Sequence, residues 1–206
     1  MFTGIVQAIG RLETLQPQAD GMRMSVSAGA LGIDDVQVGD SIAVEGCCLT
    51  VVQRDIDSLQ LAFDVSGETL GCTKGFAAGS GVNLEKALRL ADRLGGHLMS
   101  GHIDGVGVVV EMSPVAASAP GAASMRLVID ARQDLARYIA NKGSIAVNGV
   151  SLTVNGVQGA RFEVNLIPHT LAATTLRDLA SGARVNLEVD LLARYVERLR
   201  GADSIG

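Results

Sequence analysis

The sequence predicts an all-β protein made of two similar domains, each an antiparallel barrel or sandwich. The first observation is an internal repeat. Ser41–Val51 reads SIAVEGCCLTV and Ser144–Val154 reads SIAVNGVSLTV, with eight of eleven positions identical at an offset of 103. Other pairs recur in order: Met1–Val6 with Leu98–Ile103, Gly10 with Gly107, Phe63-Asp64-Val65 with Phe162-Glu163-Val164, and Val82–Glu85 with Val185–Glu188. A period of about 100 residues marks a tandem duplication of domains, not a solenoid, whose repeats run 20–50 residues. The second observation is a series of short segments rich in Val, Ile, Leu and Thr and bounded by Gly, Asp or Asn, the pattern of half-buried strands joined by turns. The third is the supply of 25 glycines, which makes tight turns and bulges sterically easy.

In chain order the strand segments are Ser41–Val44, Cys48–Val51, Leu59–Val65, Gly105–Val110, Met125–Ile129, Ser144–Val147 and Ser151–Val154. Three helices are expected. Leu84–Leu94 repeats apolar residues at Leu84, Ala87, Leu88, Ala91 and Leu94, with Asn83 as N-cap and Gly95 just past the end. Arg132–Asn141 puts Leu135, Tyr138 and Ile139 on one face. Leu191–Arg200 puts Leu192, Val196 and Leu199 on a stripe behind Asp190. The first and third would close corresponding repeats. Ser113–Ser124 looks like a linker, yet the repeat aligns it with Glu13–Met22, so both are read as loops joining a barrel's first two strands. The boundary between halves is placed near Gly95-Gly96-His97, giving units 1–97 and 98–189 and a C-terminal segment 190–206.

Composition narrows the function. The net charge is −5 with no Lys/Arg cluster, which disfavours nucleic acid and anionic membranes as partners. No run of 18 apolar residues and no positively charged leader is visible. Cys47 and Cys48 are adjacent, Cys72 leaves an odd count, and no CxxC or HExxH motif occurs. A reducing cytoplasm and no structural metal are therefore expected.

Strand alternation sorts the duplicated segment into two faces. Cys47, Leu49 and Val51 share an apolar face, as do Val150, Leu152 and Val154. Cys48 and Thr50 lie opposite, as do Ser151 and Thr153. Plain solvent exposure would explain one such polar face. Cys48, excluded from the core face, is the better candidate for a substrate-contacting thiol. His97 and His102 flank GHLMSGHID, and each follows a glycine that permits close approach to a ligand. Both also suit a purely structural role. Lys142 reads as a helix C-terminal cation or an anion anchor.

Taken together, MFTGIV at the N-terminus, GCCLTV at Gly46–Val51, VNLEKA at Val82–Ala87, GGHLMSGHIDG at Gly95–Gly105, NGVSLTV at Asn148–Val154, NLIPHTL at Asn165–Leu171 and GARVNLEVD at Gly182–Asp190 resemble the riboflavin synthase family of lumazine-binding proteins. The resemblance implies two six-stranded antiparallel Greek-key barrels with short helices, and a C-terminal helix that bundles a homotrimer. It implies dismutation of two 6,7-dimethyl-8-ribityllumazine molecules by four-carbon transfer, giving riboflavin and 5-amino-6-(ribitylamino)uracil, with no metal or organic cofactor. Each barrel would hold one lumazine, with the active site between neighbouring subunits.

Carried over by motif, the N-barrel site comprises Gly4, Ile5, Val6, Cys48, Leu49, Thr50, Asp64, Val65, Ser66, Gly67, Glu68 and Thr69. The C-barrel site comprises Gly101, His102, Ile103, Lys142, Ser151, Leu152, Thr153, Asn165, Leu166, Ile167, Pro168, His169 and Thr170. Cys48 is expected to add to the electrophilic C7 or to position the group that does. His102 is expected to move protons, with Ser151 and Thr153 assisting, and Asp64 or Glu163 to bind ribityl hydroxyls. Ser66-Gly67 departs from the bulkier pair expected there. A non-catalytic antenna protein of the same duplicated fold is the rival reading. It would be expected to lose the site motifs of one half, whereas here both halves retain them.

Overall fold

A computed structural model describes residues 1–115 and 123–202. Twelve strands form two closed antiparallel barrels of six strands each. The first contains β1 (Ala8–Gln18), β2 (Gly21–Ser27), β3 (Ser41–Val44), β4 (Cys47–Asp55), β5 (Gln60–Ser66) and β6 (Gly81–Lys86). The second contains β7 (Gly105–Pro114), β8 (Met125–Asp130), β9 (Ser144–Val147), β10 (Val150–Gln158), β11 (Arg161–Leu166) and β12 (Arg184–Val189). Around the first barrel the order is β1-β2-β5-β4-β3-β6, and the second repeats it as β7-β8-β11-β10-β9-β12. The chain thus skips two strands after β2 and after β8, the Greek-key path.

Each barrel closes around alternating apolar residues. Leu12, Val44, Leu49, Val51, Phe63 and Leu84 fill the first core, and Ile129, Val147, Leu152, Val154, Phe162 and Leu187 the second. Bulges fall at matched places, between Leu12 and Thr14, Val109 and Glu111, Val51 and Gln53, and Val154 and Gly156. An extra residue on one strand bends it, and repeated bending lets a short sheet curl shut.

Pairing corrects one detail of the repeat. Val51 faces Phe63, and its counterpart Val154 faces Val164. Phe63 therefore corresponds to Val164, and Asp64 to Asn165, rather than to Phe162 and Glu163. The side chain that fills a layer need not be the same size in both copies, provided each core fills.

The helix expected over Leu84–Leu94 does not form. Val82 and Leu84 are core residues of β6, which closes the barrel by pairing with both β1 and β3. From Ala87 the chain runs on as a loop that leaves Leu90 fully exposed. The helical spacing there was a coincidence of a strand followed by a linker. The second expected helix tightens to a 3₁₀ turn at Gln133–Tyr138, with Leu135 and the following Ile139 buried. The third forms as a helix at Leu191–Ala202. Two more short helices, α1 (Gly67–Cys72) and α2 (Pro168–Ala173), follow β5 and β11, so the C-terminal one is α3. Glu13–Met22 is a strand hairpin turning at Ala19-Asp20, not a loop. Its counterpart does lie between β7 and β8, with 116–122 outside the described residues.

The hairpin tips Glu45-Gly46 and Asn148-Gly149 all take positive φ, the two-residue turn whose twist matches a strand pair. These tips meet back to back across the seam between barrels. Asn83 Nδ2 donates to Asn148 O and Asn186 Nδ2 donates to Glu45 O, both at 2.9 Å, so the seam is locked by buried amides at equivalent places. Lys74 also forms an ion pair with buried Glu45.

Candidate active site

The segments before each barrel cross over. Each leaves its own barrel and returns to it, and in between lies on the other. In the first half Gln7 N donates to Leu84 O, while Thr3 and Gly4 are held by Glu85 of β6. Between those points Gly4 O accepts Ser151 N at 2.8 Å, and Val6 packs on the second barrel's core. In the second half Asp104 N donates to Leu187 O, and Ser100 and Gly101 are held by Glu188 of β12. Gly101 O accepts Cys48 N at 2.8 Å, and Ile103 packs on the first core. Both crossings need glycine. A Cβ on Gly4 would lie 2.5 Å from Ser151 Cβ, and one on Gly101 would lie 2.6 Å from Cys48 Cβ, each at a left-handed φ.

This reverses the expected distribution of the straps. Gly101, His102 and Ile103 line the first barrel's pocket, while Gly4 and Val6 lie against the second barrel, at Ser151 and at its core. Sequence order suggested otherwise because each strap is covalently continuous with the barrel it leaves.

The first pocket encloses about 210 Å³ between Cys47, Cys48, α1 and the His102 strap. Cys48, Glu68, Thr69, His102 and Ile103 are thus brought together, and Cys72 and Thr73, which sequence reasoning did not select, join them. Strand alternation holds: Cys48 is half-buried and Thr50 exposed, while Cys47 and Leu49 face the core. Burial pushes the Cys47 thiol up to about 12, which keeps it protonated and unreactive. Ser66 accepts the Thr69 N–H at 3.2 Å and so caps α1, which gives the unexpected Ser66-Gly67 pair a local structural role. Val65 is buried in the core, Gly67 and Glu68 are exposed. Asp64, on the outer face of β5, is held by Arg23 Nε and Nη2, each at 2.8 Å, and this partner lowers its pKa. The same carboxylate would have to share Arg23 with any ribityl hydroxyl.

On the second barrel His97 Nδ1 lies 2.7 Å from Ser151 Oγ, and His97 N donates to Thr3 O. Burial lowers the His97 pKa, favouring the neutral ring, which can accept from or donate to the serine. His97 Nε2 and Asn165 Oδ1 are both buried without a partner among the described residues. Unpaired buried polar atoms are costly, and a polar ligand would satisfy them. Leu152 and Leu166 face the core, so only their backbone is available to a ligand. Thr153, Ile167 and His169 are exposed, and Pro168 and Thr170 are half-buried at the start of α2. Lys142 is exposed with φ +65°, at the place the first barrel gives to Gly39. Its backbone N–H donates to Val154 O, three residues along β10 from Ser151, as Gly39 donates to Val51 O. Glu163 is bound to Arg126 and does not line the first pocket.

Glu85 and Glu188, which organise both straps, were not selected from sequence, although each sits in a duplicated Val-Asn-Leu-Glu segment. Their signal was a carboxylate inside an apolar strand. His97 was noticed, but its pairing with Ser151 depends on chain crossing that spacing does not encode. α3 adds a further hold on the His102 strap: Arg194 pairs with Asp104 at 2.6 Å and donates to His102 O at 3.4 Å.

Comparison with known proteins agrees with this architecture. A family profile described as the lumazine binding domain matches residues 3–87 and again 100–190. A riboflavin synthase of Mycobacterium bovis is 44% identical, with 97% of this chain and 98% of that protein covered. One of Photobacterium phosphoreum is 41% identical over 97% of this chain and 88% of that protein. Among solved structures, LumP complexed with 6,7-dimethyl-8-(1'-D-ribityl) lumazine superposes with a TM-score of 0.78 at 26% identity, covering 92% of this chain and 99% of LumP. With two matched barrels, each crossed by the other's strap, and with relatives of this similarity along its length, the chain belongs to the riboflavin synthase family of lumazine-binding proteins.

Proposed function

We propose that this protein is a riboflavin synthase that binds one 6,7-dimethyl-8-ribityllumazine on each barrel and transfers four carbons from one to the other. The observation that carries this reading is the pair of crossed straps, which gives one chain two places of matched backbone for one kind of ring. Two identical substrates suit a protein built twice. The C7 methyl of the lumazine is acidic because its anion delocalises into the pteridine. Holding two such rings in reacting geometry can contribute about 7–11 kcal/mol in favourable cases. Cys48 and His102 share the first pocket. There Cys48 serves as nucleophile towards C7, or orients one, and His102 moves the methyl proton. Ser151, with His97 behind it, and Thr153 face the second ring, and Asn165, the Thr50 hydroxyl and the strap amides read the ring edges and ribityl chain.

Assembly as a homotrimer fits α3, whose Leu192, Val196 and Leu199 lie exposed at helical spacing. In such a trimer the first pocket of one subunit faces the second of its neighbour. Three free cysteines suit the cytoplasm. No helix among the described residues is long and apolar enough to cross a membrane.

The decisive assay mixes purified protein with the lumazine alone and follows products by chromatography. Equal amounts of riboflavin and 5-amino-6-(ribitylamino)uracil are expected. Ligand binding without either product would sink the enzymatic reading and favour an antenna role. Near-normal turnover in both Cys48→Ala and His102→Gln would reduce the mechanism to positioning alone.

A further inference from the structure

Each strap is pinned to its parent barrel at both ends. Glu188 Oε1 accepts Ser100 N at 2.6 Å and Ser100 Oγ at 2.7 Å, and Oε2 accepts Gly101 N at 3.0 Å. At the other end Asp104 Oδ2 accepts Val189 N at 2.8 Å. The first half repeats the device. Glu85 Oε1 accepts Thr3 N and Oγ1 at 2.7 Å, Oε2 accepts Gly4 N at 3.0 Å, and Gln7 Oε1 accepts Lys86 N at 3.0 Å. Both carboxylates are almost wholly buried, at 4% exposure for Glu85 and 2% for Glu188. Burying a carboxylate is costly unless several donors compensate it, and here each has three. What the carboxylate fixes is a short bow of chain whose middle bears on the opposite barrel.

We infer that Glu188 and Glu85 are positioning residues acting crosswise: Glu188, on the second barrel, sets the ligand pocket of the first, and Glu85, on the first barrel, sets the ligand pocket of the second. The latch and the pocket are separated by one or two residues. Glu188 fixes Gly101 N while Gly101 O holds Cys48 N, and the next residues are His102 and Ile103 of the first pocket. Glu85 likewise fixes Gly4 N while Gly4 O holds Ser151 N. A residue gripped at both its N–H and its C=O has little freedom to tilt, so the strap side chains that follow it are placed by the other barrel's carboxylate. The inference rests on the reading of the pockets as lumazine sites.

All three cysteines of the chain line the first pocket, so thiol chemistry reads that pocket alone. The test measures how 6,7-dimethyl-8-ribityllumazine protects Cys48 from iodoacetamide, by peptide mass spectrometry, in wild type, Glu188→Gln and Glu85→Gln. Total ligand bound is measured by equilibrium dialysis. Glutamine keeps the shape but turns an NH₂ against a backbone N–H. Glu188→Gln is expected to weaken protection of Cys48 about tenfold or more, the effect of losing a charge-assisted hydrogen bond. Glu85→Gln is expected to leave protection of Cys48 within twofold of wild type while weakening the second bound ligand by a similar tenfold. General loosening of the fold would move both pockets together. Equal effects of both variants on Cys48, or effects confined to each residue's own barrel, overturn the inference. If Glu188→Gln does not fold, Ser100→Ala removes one donor from the same latch and is expected to weaken Cys48 protection in the same direction. No change in Ser100→Ala then counts against the inference. A wild type that binds no lumazine would overturn the functional reading instead, and is distinguishable because it needs no variant.

Discussion

Gly46→Ala separates the two things that glycine does at the seam. Gly46 has φ +82°, and a Cβ there would lie 2.7 Å from Gly149 N and 2.9 Å from Gly149 Cα. The backbone contribution is about 1–2 kcal/mol for placing an L side chain in the left-handed region. The contact contribution is about 1–3 kcal/mol, because the obstacle is the main chain of the facing tip and cannot rotate away. The sum is about 2–5 kcal/mol, a large share of the stability of an ordinary domain. Gly182→Ala is the control. It has nearly the same φ, +86°, and nothing within 4 Å of the added Cβ, so it carries the backbone part alone. Equilibrium unfolding in urea measures both variants, with the midpoint and slope read separately. Gly46→Ala should lose about 1–3 kcal/mol more than Gly182→Ala. It should also disturb Cys48, two residues on, whose N–H is tied to the strap. Equal losses in the two variants would refute the claim that the tips are held apart by less than a methyl group.

Two further outcomes follow from buried titrating groups. His97 should titrate below the ordinary histidine value of 6.5 because burial opposes the charged ring, and NMR of the imidazole checks this. The unfolded chain then binds more protons at His97 than the folded one does. Its contribution to stability therefore rises with pH from the folded pKa up to about 6.5 and is flat above. A His97→Gln variant should lose that slope, and an unchanged slope would assign it to other groups. The Cys47 thiol, pushed up to about 12, should resist iodoacetamide at pH 8 while its neighbour Cys48 reacts. Modification of Cys47 first would contradict its place in the core.

Much of the fold was legible because the duplication writes each signal twice. Alternation in Cys47–Val51 and Val150–Val154 placed core and outer faces correctly, since a residue's face in a strand depends only on parity. Leu84–Leu94 failed for the opposite reason. Helical periodicity is local, whereas the fate of Leu84 is decided by β1 and β3, far away in sequence. The Phe63 and Phe162 pairing failed because residue identity is a weaker guide to register than ladder geometry, and β11 is offset from β5 by a different loop length. Parity alone put Cys48 and Ser151 off the core face, whereas the site role of Ser151 came from the resemblance. That His102 stands with Cys48, and His97 with Ser151, required knowing that the straps cross.

The crossing also explains how two copies of one domain come to differ in chemistry while sharing a shape. The frame is kept twice: a buried glutamate, a hydroxyl residue, a left-handed glycine and a backbone bond to the start of β4 or β10. The occupants of that frame are not kept. The first pocket presents a thiol and an exposed imidazole, and the second barrel sets a hydroxyl beside a buried imidazole. α3 follows the second barrel, and through Arg194 it holds the His102 strap. A reaction between two identical molecules needs this kind of inequality, since one must give carbon and the other receive it. Two perfectly equivalent pockets would polarise both rings alike and favour neither role. On the proposed reading, a duplicated scaffold with unequal side chains holds the two rings in the same way and treats them differently, and the differences lie in the straps and the residues they touch.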